Sequence, residues 1–300
     1  MSNFVEEIEK VPGVAVRSDE LLSLHTTLAV GGPCDFMVWV SSKHALKAVL
    51  GVARKFDLPV TVLGNGSNVL VRDGGIPGLV LRLVDDFADI AVNGLQIRAG
   101  AGASLAEVVN RATAAGIGGL EFLAGIPGTI GGAIVTNAGA KDTWISSCLR
   151  YFTVLTESLD EVTYEPGEVA FGYRSSGIAK GWIVTDAMLA GYGCGVDEAR
   201  SKVEKYLAMR SENQPRGEKT AGCIFKNPPG EAAGRLIEAA GFKGHRKGGA
   251  EVSRIHANWI VNTGGATAGE ILDLIEEIRS KVKERFGIAL ELEIQILGRD

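Results

Sequence analysis

Short apolar runs rich in β-branched residues recur along this chain of 300 residues, separated by turn-forming and amphipathic stretches. Such runs, bounded by glycine, proline or asparagine, are typical of strands. The pattern predicts strands at 36–40, 60–63, 69–72, 79–83, 151–156, 182–189, 259–262 and 289–297. Two further runs, 90–92 and 95–99, flank Asn93-Gly94, a sequence that favours a two-residue hairpin turn.

Stretches with apolar residues at helical spacing alternate with these strands. The stretch 43–56 shows the period of an amphipathic helix. Ser104 and Thr267 each begin a capping box, because a glutamate follows three residues later. The predicted helices are 43–56, 104–115, 197–210, 231–240 and 267–286.

The composition is that of a globular protein, with 46% apolar and 22% charged residues. The length favours two domains, on a prior of roughly 150 residues each. We expect an α+β fold with one domain at 1–194, including an N-terminal segment 1–24, and a second at 195–300. Glycine contributes 40 of the 300 residues, about twice its average share, which suggests loops with positive φ or backbone close to a ligand.

The sequence carries no sign of secretion, a membrane span or a metal centre. The first ten residues lack the basic and apolar segments of a signal peptide, and no apolar run reaches the roughly 18 residues of a membrane span. The four cysteines have no Cys-x-x-Cys spacing, and the four histidines do not cluster with them. We therefore expect a cytoplasmic protein without a metal.

The net charge of −5 disfavours nucleic acid as a partner. The segment 200–254 is nevertheless basic, with 12 Lys and Arg against 6 Asp and Glu. Such a stretch suits a small anionic ligand, and a solvated basic face is the alternative.

Two glycine-rich loops are candidates for binding a ligand. The loop Gly64-Asn65-Gly66-Ser67-Asn68 stands between two predicted strands, whereas the common nucleotide-binding fingerprints require a helix after the loop. It is either a hairpin turn or a nest of backbone N–H groups for a phosphate. The second loop runs from Gly125 to Ala133, with Asn137 to Ala140 soon after, and is either a structural crossover or backbone shaped around a flat or anionic group.

These loops belong to a series of motifs that resembles the UDP-N-acetylenolpyruvoylglucosamine reductases (MurB). The matching stretches, in the family's order, are GNGSN (64–68), RDGG (72–75), LEFLAGIPGTIGGAIVTNAGA (120–140), FGYR (171–174), TAGCIFKNP (220–228), GGAEVS (248–253), HANWIVN (256–262) and LELEIQILG (290–298). Only SSGIAKG separates Arg174 from the next predicted strand, so the chain is similar to the shorter, type II-like members.

The resemblance implies an FAD-binding domain of the vanillyl-alcohol-oxidase (PCMH) type, followed by the smaller α+β C-terminal domain of MurB. It also implies reduction of an enolpyruvyl ether of UDP-N-acetylglucosamine to UDP-N-acetylmuramate, with NADPH as hydride source. We expect the FAD to be non-covalent and the protein to be a monomer. The alternatives are another FAD oxidase of the same fold and a non-catalytic UDP-sugar-binding homologue.

The resemblance also assigns individual residues. The FAD would contact the two glycine loops through Gly64, Asn65, Gly66, Ser67, Asn68, Gly125, Ile126, Pro127, Gly128, Gly131, Gly132, Asn137, Ala138 and Gly139. Arg174 matches the catalytic arginine and Glu293 the glutamate of the last strand. Cys223 stands where the family usually has the serine that donates a proton, and Gln295 stands where an arginine is common.

These types of residue suit the reaction. Hydride addition to the alkene builds negative charge toward the carboxylate, which a planar, permanently charged guanidinium can stabilise. The other alkene carbon needs a general acid, and a thiol is a stronger acid than a hydroxyl; a structural cysteine is the alternative. The predicted substrate contacts are Tyr173, Lys226, Asn227, His256 and Asn258. The basic run 243–247 either offsets the diphosphate charge or faces solvent.

Overall fold

The computed structural model describes residues 2–140 and 142–300. The chain forms two compact units, each built from separate segments. The first unit contains Met1–Arg17, Met37–Gly64 and Gly78–Arg210. The second contains Ser18–Phe36, Asn65–Pro77 and Ser211–Asp300.

These units differ from the predicted division between 194 and 195. The helix predicted at 197–210 belongs to the first unit, because Ala199 is buried and Val203 and Tyr206 pack against the first hydrophobic core. Leu28 and Leu70, from the first quarter of the chain, lie in the core of the second unit. These units do not test where the functional domains divide, so the domain boundary between 194 and 195 stays a prediction.

The first unit combines helices with an antiparallel sheet. Its helices are α1 (Ser2–Ile8), α2 (Lys43–Lys55), α3 (Leu105–Ala114), α4 (Ile130–Thr136) and most of α5 (Val196–Asn213). The five-stranded sheet has the order β12-β11-β13-β7-β6, formed by Glu161–Tyr164, Leu149–Leu155, Ile183–Ala190, Gln96–Gly100 and Ile90–Asn93. The short strands β8 (Ile117–Gly118), β9 (Gly139–Ala140), β10 (Thr143–Trp144) and β14 (Tyr192–Gly193) form two small pairs, β9 with β10 and β8 with β14.

A second sheet has the order β1-β2-β5-β3, formed by Val14–Leu21, Pro33–Val40, Ile76–Leu83 and Val60–Val62. Its β3 and β5 are parallel, with Val60 opposite Leu79. Helix α2 begins at Lys43 because the Ser42 side chain accepts the N–H of Ala45 and because buried residues recur at helical spacing.

The second unit places two helices with a four-stranded sheet. The sheet has the order β15-β18-β17-β16, formed by Lys219–Cys223, Trp259–Asn262, Ala250–Val252 and Arg246–Lys247. The helices are α6 (Ala233–Ala239) and α7 (Ala268–Phe286). The last strand, β19 (Gln295–Leu297), pairs in parallel with β4 (Val69–Val71). The mixture of helices and strands confirms the predicted α+β class.

Two local predictions need correction. The strand predicted at 289–297 is regular only at 295–297. The box predicted at Ser104 is half formed: Ser104 accepts the N–H of Glu107, but the Glu107 carboxylate binds Arg111 instead of the cap. The box at Thr267 and Glu270 is complete and confirms that prediction.

Candidate active site

The second glycine loop of the first unit runs from Gly125 to Thr129 and leads into α4. Gly125 has a φ of +73° and Gly128 a φ of +155°, conformations that favour glycine. Thr129 caps α4 by accepting the N–H of Gly132 at 3.4 Å. Gly125, Pro127 and Gly132 are exposed, so one side of the loop presents backbone to solvent.

Other glycines of the predicted cofactor set are required by the protein's own packing. A Cβ on Gly131 would lie 3.0 Å from the Ala101 Cβ, and one on Gly64 would lie 2.7 Å from the Thr129 hydroxyl. A Cβ on Gly139 would lie 2.1 Å from a backbone oxygen of the β9–β10 hairpin. These positions therefore explain part of the glycine content without any ligand.

Asn137 ends α4 in a left-handed conformation, with a φ of +45°. Its Nδ2 donates to the carbonyl of Gly172 at 2.9 Å, and its Oδ1 accepts the N–H of Ser146 at 3.3 Å. The amide of this predicted flavin-lining residue therefore ties the turn at Gly172 to the end of α4. Ala138, the next residue of the set, donates its N–H to the carbonyl of Ala133 at 2.8 Å.

Arg174 lies in the turn that Asn137 holds. It has a φ of +53°, and its Nη1 donates to the carbonyl of Gly139 at 3.1 Å. Its guanidinium carbon lies 5.7 Å from the ring centroid of Tyr173, which is 45% exposed. The structure thus brings the predicted catalytic arginine to the carbonyl of a predicted flavin-lining residue, while Tyr173 keeps an accessible ring for a ligand.

Asn65 to Asn68, the rest of the first glycine loop, lie in the second unit. Gly66 has a φ of +61°, and a Cβ there would lie 2.2 Å from the carbonyl oxygen of His25. The Gly66 carbonyl accepts the N–H of Thr27 at 3.1 Å. Asn65, Ser67 and Asn68 are partly buried. The loop is therefore neither open nor a simple two-residue hairpin, because it is fixed by contacts from the segment 25–27.

Cys223 ends β15 beside an irregularity in the sheet. It lies opposite Trp259, and the register shifts between Thr220 and Cys223. Gly222 has a φ of +81° and open space around its Cβ position. Cys223 is partly buried, whereas Cys148 is buried and burial raises its pKa to about 12. Bulges of this kind often re-aim a side chain next to an active site, which fits the predicted role of Cys223.

Glu293 lies beside the segment that follows Cys223. Its N–H donates to the carbonyl of Ile224 at 2.8 Å. Glu291, the alternative acid of this stretch, is exposed and lies 3.7 Å from the ammonium of Lys226. In the second unit the Glu293 backbone is therefore bonded to the residue that follows Cys223. Arg174 belongs to the first unit, and its joint action with Cys223 and Glu293 stays a prediction.

Of the two predicted substrate contacts that follow Cys223, Asn227 is bonded through its side chain to the protein itself. Lys226 is partly buried, and its N–H donates to the carbonyl of Glu291 at 2.8 Å. The Oδ1 of Asn227 accepts the N–H of Ala233 at 3.0 Å, at the start of α6. Asn227 thus has a structural task at this helix in addition to the predicted one.

Asn258 is buried, and both polar atoms of its side-chain amide are hydrogen-bonded to backbone groups. Its Nδ2 donates to the carbonyl of Phe225 at 2.7 Å, and its Oδ1 accepts the N–H of Phe225 at 3.0 Å. This geometry makes Asn258 a support for the segment after Cys223. The Nδ1 of His256 accepts the N–H of Asn258 at 3.2 Å, and burial lowers the pKa of His256, which favours a neutral ring.

The basic run 243–247 pairs with acids of its own unit. The pairs are Lys243 with Glu238 at 3.0 Å, Arg246 with Glu251 at 2.7 Å and Lys247 with Glu277 at 2.6 Å. Hydrogen bonding to Glu277 raises the pKa of Lys247. Much of the charge in this run is therefore balanced locally.

The sequence alone gave no reason to select Glu121. This residue is 7% exposed, and its Oε2 accepts the N–H of Gly119 at 2.7 Å. Within residues 2–140 and 142–300, its buried Oε1 has no hydrogen-bond partner. A buried carboxylate oxygen four residues before Gly125 leaves an acceptor for a hydroxyl group.

Together these features fit an FAD-like group. Gly132, in the first turn of α4, is exposed, and only the Thr129 hydroxyl lies within 4 Å of a Cβ built there, whereas a Cβ on Gly125 would meet the side chains of Arg210 and Leu207. A flat ring or a phosphate can therefore approach the main chain closely. No group of three or more histidine, cysteine or acidic residues in the described part of the chain has metal-ligand geometry. The described helices include none with the length and apolarity needed to cross a membrane.

Comparison with known families matches both parts of the chain. Residues 34–160 match a profile described as an FAD binding domain. Residues 214–297 match a profile described as the C-terminal domain of UDP-N-acetylenolpyruvoylglucosamine reductase. The two matches confirm the predicted fold class.

Curated relatives extend the likeness to the whole chain. The UDP-N-acetylenolpyruvoylglucosamine reductase of Desulforamulus reducens is 42% identical over 98% of this chain and 97% of its own length. A second reductase of this name from Symbiobacterium thermophilum is 42% identical over 100% of this chain and 97% of its own. The crystal structure of MurB from Thermus caldophilus has a TM-score of 0.83 and 38% identity, and covers 95% of this chain and 99% of that one.

Proposed function

The chain belongs to the family of UDP-N-acetylenolpyruvoylglucosamine reductases, and on that premise we propose that it reduces the enolpyruvyl ether of UDP-N-acetylglucosamine to UDP-N-acetylmuramate, a peptidoglycan precursor. The observation that carries the proposal is the hydrogen bond between Glu293 and Ile224 at 2.8 Å, which joins the acid-bearing segment to the one that follows Cys223.

When bound, FAD would supply the hydride for one alkene carbon of the substrate, with NADPH as the source of that hydride. The exposed backbone of the second glycine loop, around Gly132, would hold the cofactor. No histidine lies between residues 45 and 244, so the proposal includes non-covalent FAD. Flavin colour that stays with the acid-precipitated protein would contradict this part.

Arg174 stabilises the negative charge that builds toward the substrate carboxylate. Its guanidinium is held by the carbonyl of Gly139 at 3.1 Å, and Asn137 fixes the turn that carries it. Charge stabilisation by a pre-placed donor is worth several kcal/mol in enzymes, roughly 3 to 4 for a single oxyanion donor. The predicted position of this arginine in the FGYR motif supports the role.

Cys223 donates the proton that the second alkene carbon requires. It ends β15 just after the register shift in the β15–β18 pair, a kind of irregularity that often lies next to active sites. Glu293 orients the developing enol or relays a proton from the adjacent segment. Gln295, in place of the arginine common at this position, supplies no charge, so Glu293 acts without that neighbour.

The proposal extends to location and association. We place the protein in the bacterial cytoplasm as a monomer, with Tyr173, Lys226 and His256 contacting the UDP-sugar. All four cysteines are free thiols, which supports a reducing compartment. Asn227 and Asn258 act mainly by supporting the backbone around Cys223 and α6.

Product analysis with NADPH and the enolpyruvyl substrate tests this function. We expect NADPH consumption to depend on the substrate and to match UDP-N-acetylmuramate formation mole for mole. An oxidase of the same fold would consume oxygen without the enolpyruvyl compound, and a UDP-sugar-binding homologue would bind it without oxidising NADPH. Either of these outcomes would refute the proposal.

A further inference from the structure

Both polar groups of the Glu293 backbone, the N–H and the carbonyl, are hydrogen-bonded. Its N–H donates to the carbonyl of Ile224 at 2.8 Å, and its carbonyl accepts the side-chain Nδ2 of Asn68 at 3.2 Å. Asn68 is the last residue of the first glycine loop, 225 positions away in sequence. The glutamate is therefore fixed between the segment after Cys223 and this loop.

Asn68 extends the contact between β4 and β19 by one residue beyond the paired strands. Its own carbonyl accepts the N–H of Gln295 at 2.9 Å, and the parallel pairing of β4 with β19 continues from there, with Val69 opposite Gln295. The regular strand begins at Gln295, so the Glu293 carbonyl lies before the ladder between β4 and β19. The side-chain amide of Asn68 donates to it there.

The hydrogen bonds continue to the cysteine-bearing strand. Ile224 donates its N–H to the carbonyl of Asn258 at 2.8 Å, and the Asn258 side chain bonds to both polar backbone groups of Phe225. The segment just after Cys223 is thus fixed by Asn258 as well as by Glu293. Asn68 is a further support, on the Glu293 carbonyl.

We propose that Asn68 is a positioning residue that sets the place of the Glu293 carboxylate relative to Cys223. This inference rests on the proposed function and gives Asn68 a task other than contact with the cofactor. Loss of its donor leaves the Glu293 carbonyl without the bond that fixes the turn into β19. A displacement of about 1 Å at a reacting group can cost on the order of 100-fold in rate.

A double-mutant cycle with Asn68→Asp and Glu293→Gln tests the inference. Aspartate keeps the shape of asparagine but sets an oxygen against the Glu293 carbonyl. We expect Asn68→Asp to slow flavin reoxidation by the enolpyruvyl substrate roughly 10- to 100-fold. In the Glu293→Gln background the same change should cost less than about 3-fold, because coupled residues are not additive.

The controls separate positioning from cofactor binding. Flavin reduction by NADPH, measured at saturating FAD, should stay within about 3-fold of wild type in Asn68→Asp, and flavin fluorescence measures the FAD dissociation constant alongside. Asn93→Asp, which adds the same charge at the exposed hairpin turn, should leave both half-reactions unchanged. Equal effects of Asn68→Asp in both Glu293 backgrounds, or a weakened FAD affinity with a normal reoxidation rate, would overturn the inference.

Hydrogen exchange gives a result even if the variant loses FAD. Amides of residues 290–298 should exchange faster in apo Asn68→Asp than in apo wild type, with α7 unchanged. Unaltered protection of 290–298 would also overturn the inference. If the wild-type flavin is not reoxidised by the substrate at all, the proposed function has failed, and the exchange result still decides whether Asn68 positions this segment.

Discussion

At several glycines the protein's own backbone, and not a ligand, occupies the space that a side chain would need, so a high glycine content does not count ligand contacts. Gly66 and Gly139 each face a backbone oxygen of the protein within 2.2 Å of a Cβ position, whereas a Cβ on Gly132 meets only a hydroxyl at 3.5 Å. The sequence predicts that such positions need glycine, but the choice between a ligand and a neighbouring strand depends on contacts between distant segments. The same holds for Asn258, because the sequence motif does not reveal that its side-chain amide is hydrogen-bonded to the backbone of Phe225.

The role of Cys223 leads to a prediction at this scale. Cys223→Ala should slow flavin reoxidation by the enolpyruvyl substrate on the order of 100- to 10,000-fold, because a general acid is lost. Flavin reduction by NADPH should stay normal, since no proton donor to substrate is needed in that step. Stopped-flow absorbance of the two half-reactions measures both rates.

Two variants serve as controls for that prediction. Cys223→Ser restores the family's usual residue and should retain substrate-dependent reoxidation. Cys194→Ala removes another partly buried thiol, in the first unit, and should leave both half-reactions unchanged. Normal reoxidation in Cys223→Ala would remove Cys223 from the mechanism.

At the scale of elements, periodic segments were predictable and irregular ones were not. The helix predicted at 43–56 forms at 43–55, and the hairpin around Asn93-Gly94 forms as expected. The sequence predicts a loop where helix α4 forms, because its seven residues are stabilised by the Thr129 cap and the left-handed Asn137 instead of an amphipathic repeat. The strand predicted at 289–297 breaks because its first half pairs with 224–226 through isolated hydrogen bonds.

An ion-pair cluster links α2 to the five-stranded sheet and supports a stability prediction. The Lys43 ammonium lies 2.9 Å from the buried Asp186 carboxylate and 2.9 Å from Glu161. Burial opposes a charged Lys43, but hydrogen bonds to Asp186 and Glu161 raise its pKa overall. Lys43→Met should lower the free energy of unfolding by about 1–3 kcal/mol, because a buried carboxylate loses its close partner. Urea denaturation at neutral pH measures the change.

Lys47→Met is the matched control, because Lys47 pairs with the half-exposed Glu161, at 2.9 Å, and not with the buried Asp186 among the described ion pairs. Its cost should be about 0–1 kcal/mol. Hydrogen bonds from Lys47 and then Lys43 lower the pKa of Glu161. The ion pairs of Glu161 therefore contribute fully to the free energy of unfolding above the ordinary pKa of 4.5. That contribution disappears as the pH falls through the lowered pKa of the folded protein, so the cost of Lys47→Met should shrink in acid. A larger cost for Lys47→Met than for Lys43→Met at neutral pH would contradict this account.

At the scale of the whole molecule, the order of motifs predicted the family, while the folding units needed the structure. Strand β4 pairs with β19 although more than 220 positions separate Val69 from Gln295. Periodicity carries no information on such pairing, so the sequence does not predict that Ser18–Phe36 and Asn65–Pro77 fold with the second unit. The placement of the first glycine loop within that unit is what brings Asn68 to Glu293.

The most direct test of the account is a sequential anaerobic mixing experiment on the FAD-loaded wild-type protein. One equivalent of NADPH should bleach the visible absorbance of the flavin, and subsequent addition of the enolpyruvyl ether of UDP-N-acetylglucosamine should restore it, with one UDP-N-acetylmuramate formed per flavin. A flavin that stays bleached after the enolpyruvyl compound is added, and recovers only when oxygen is admitted, would contradict the account.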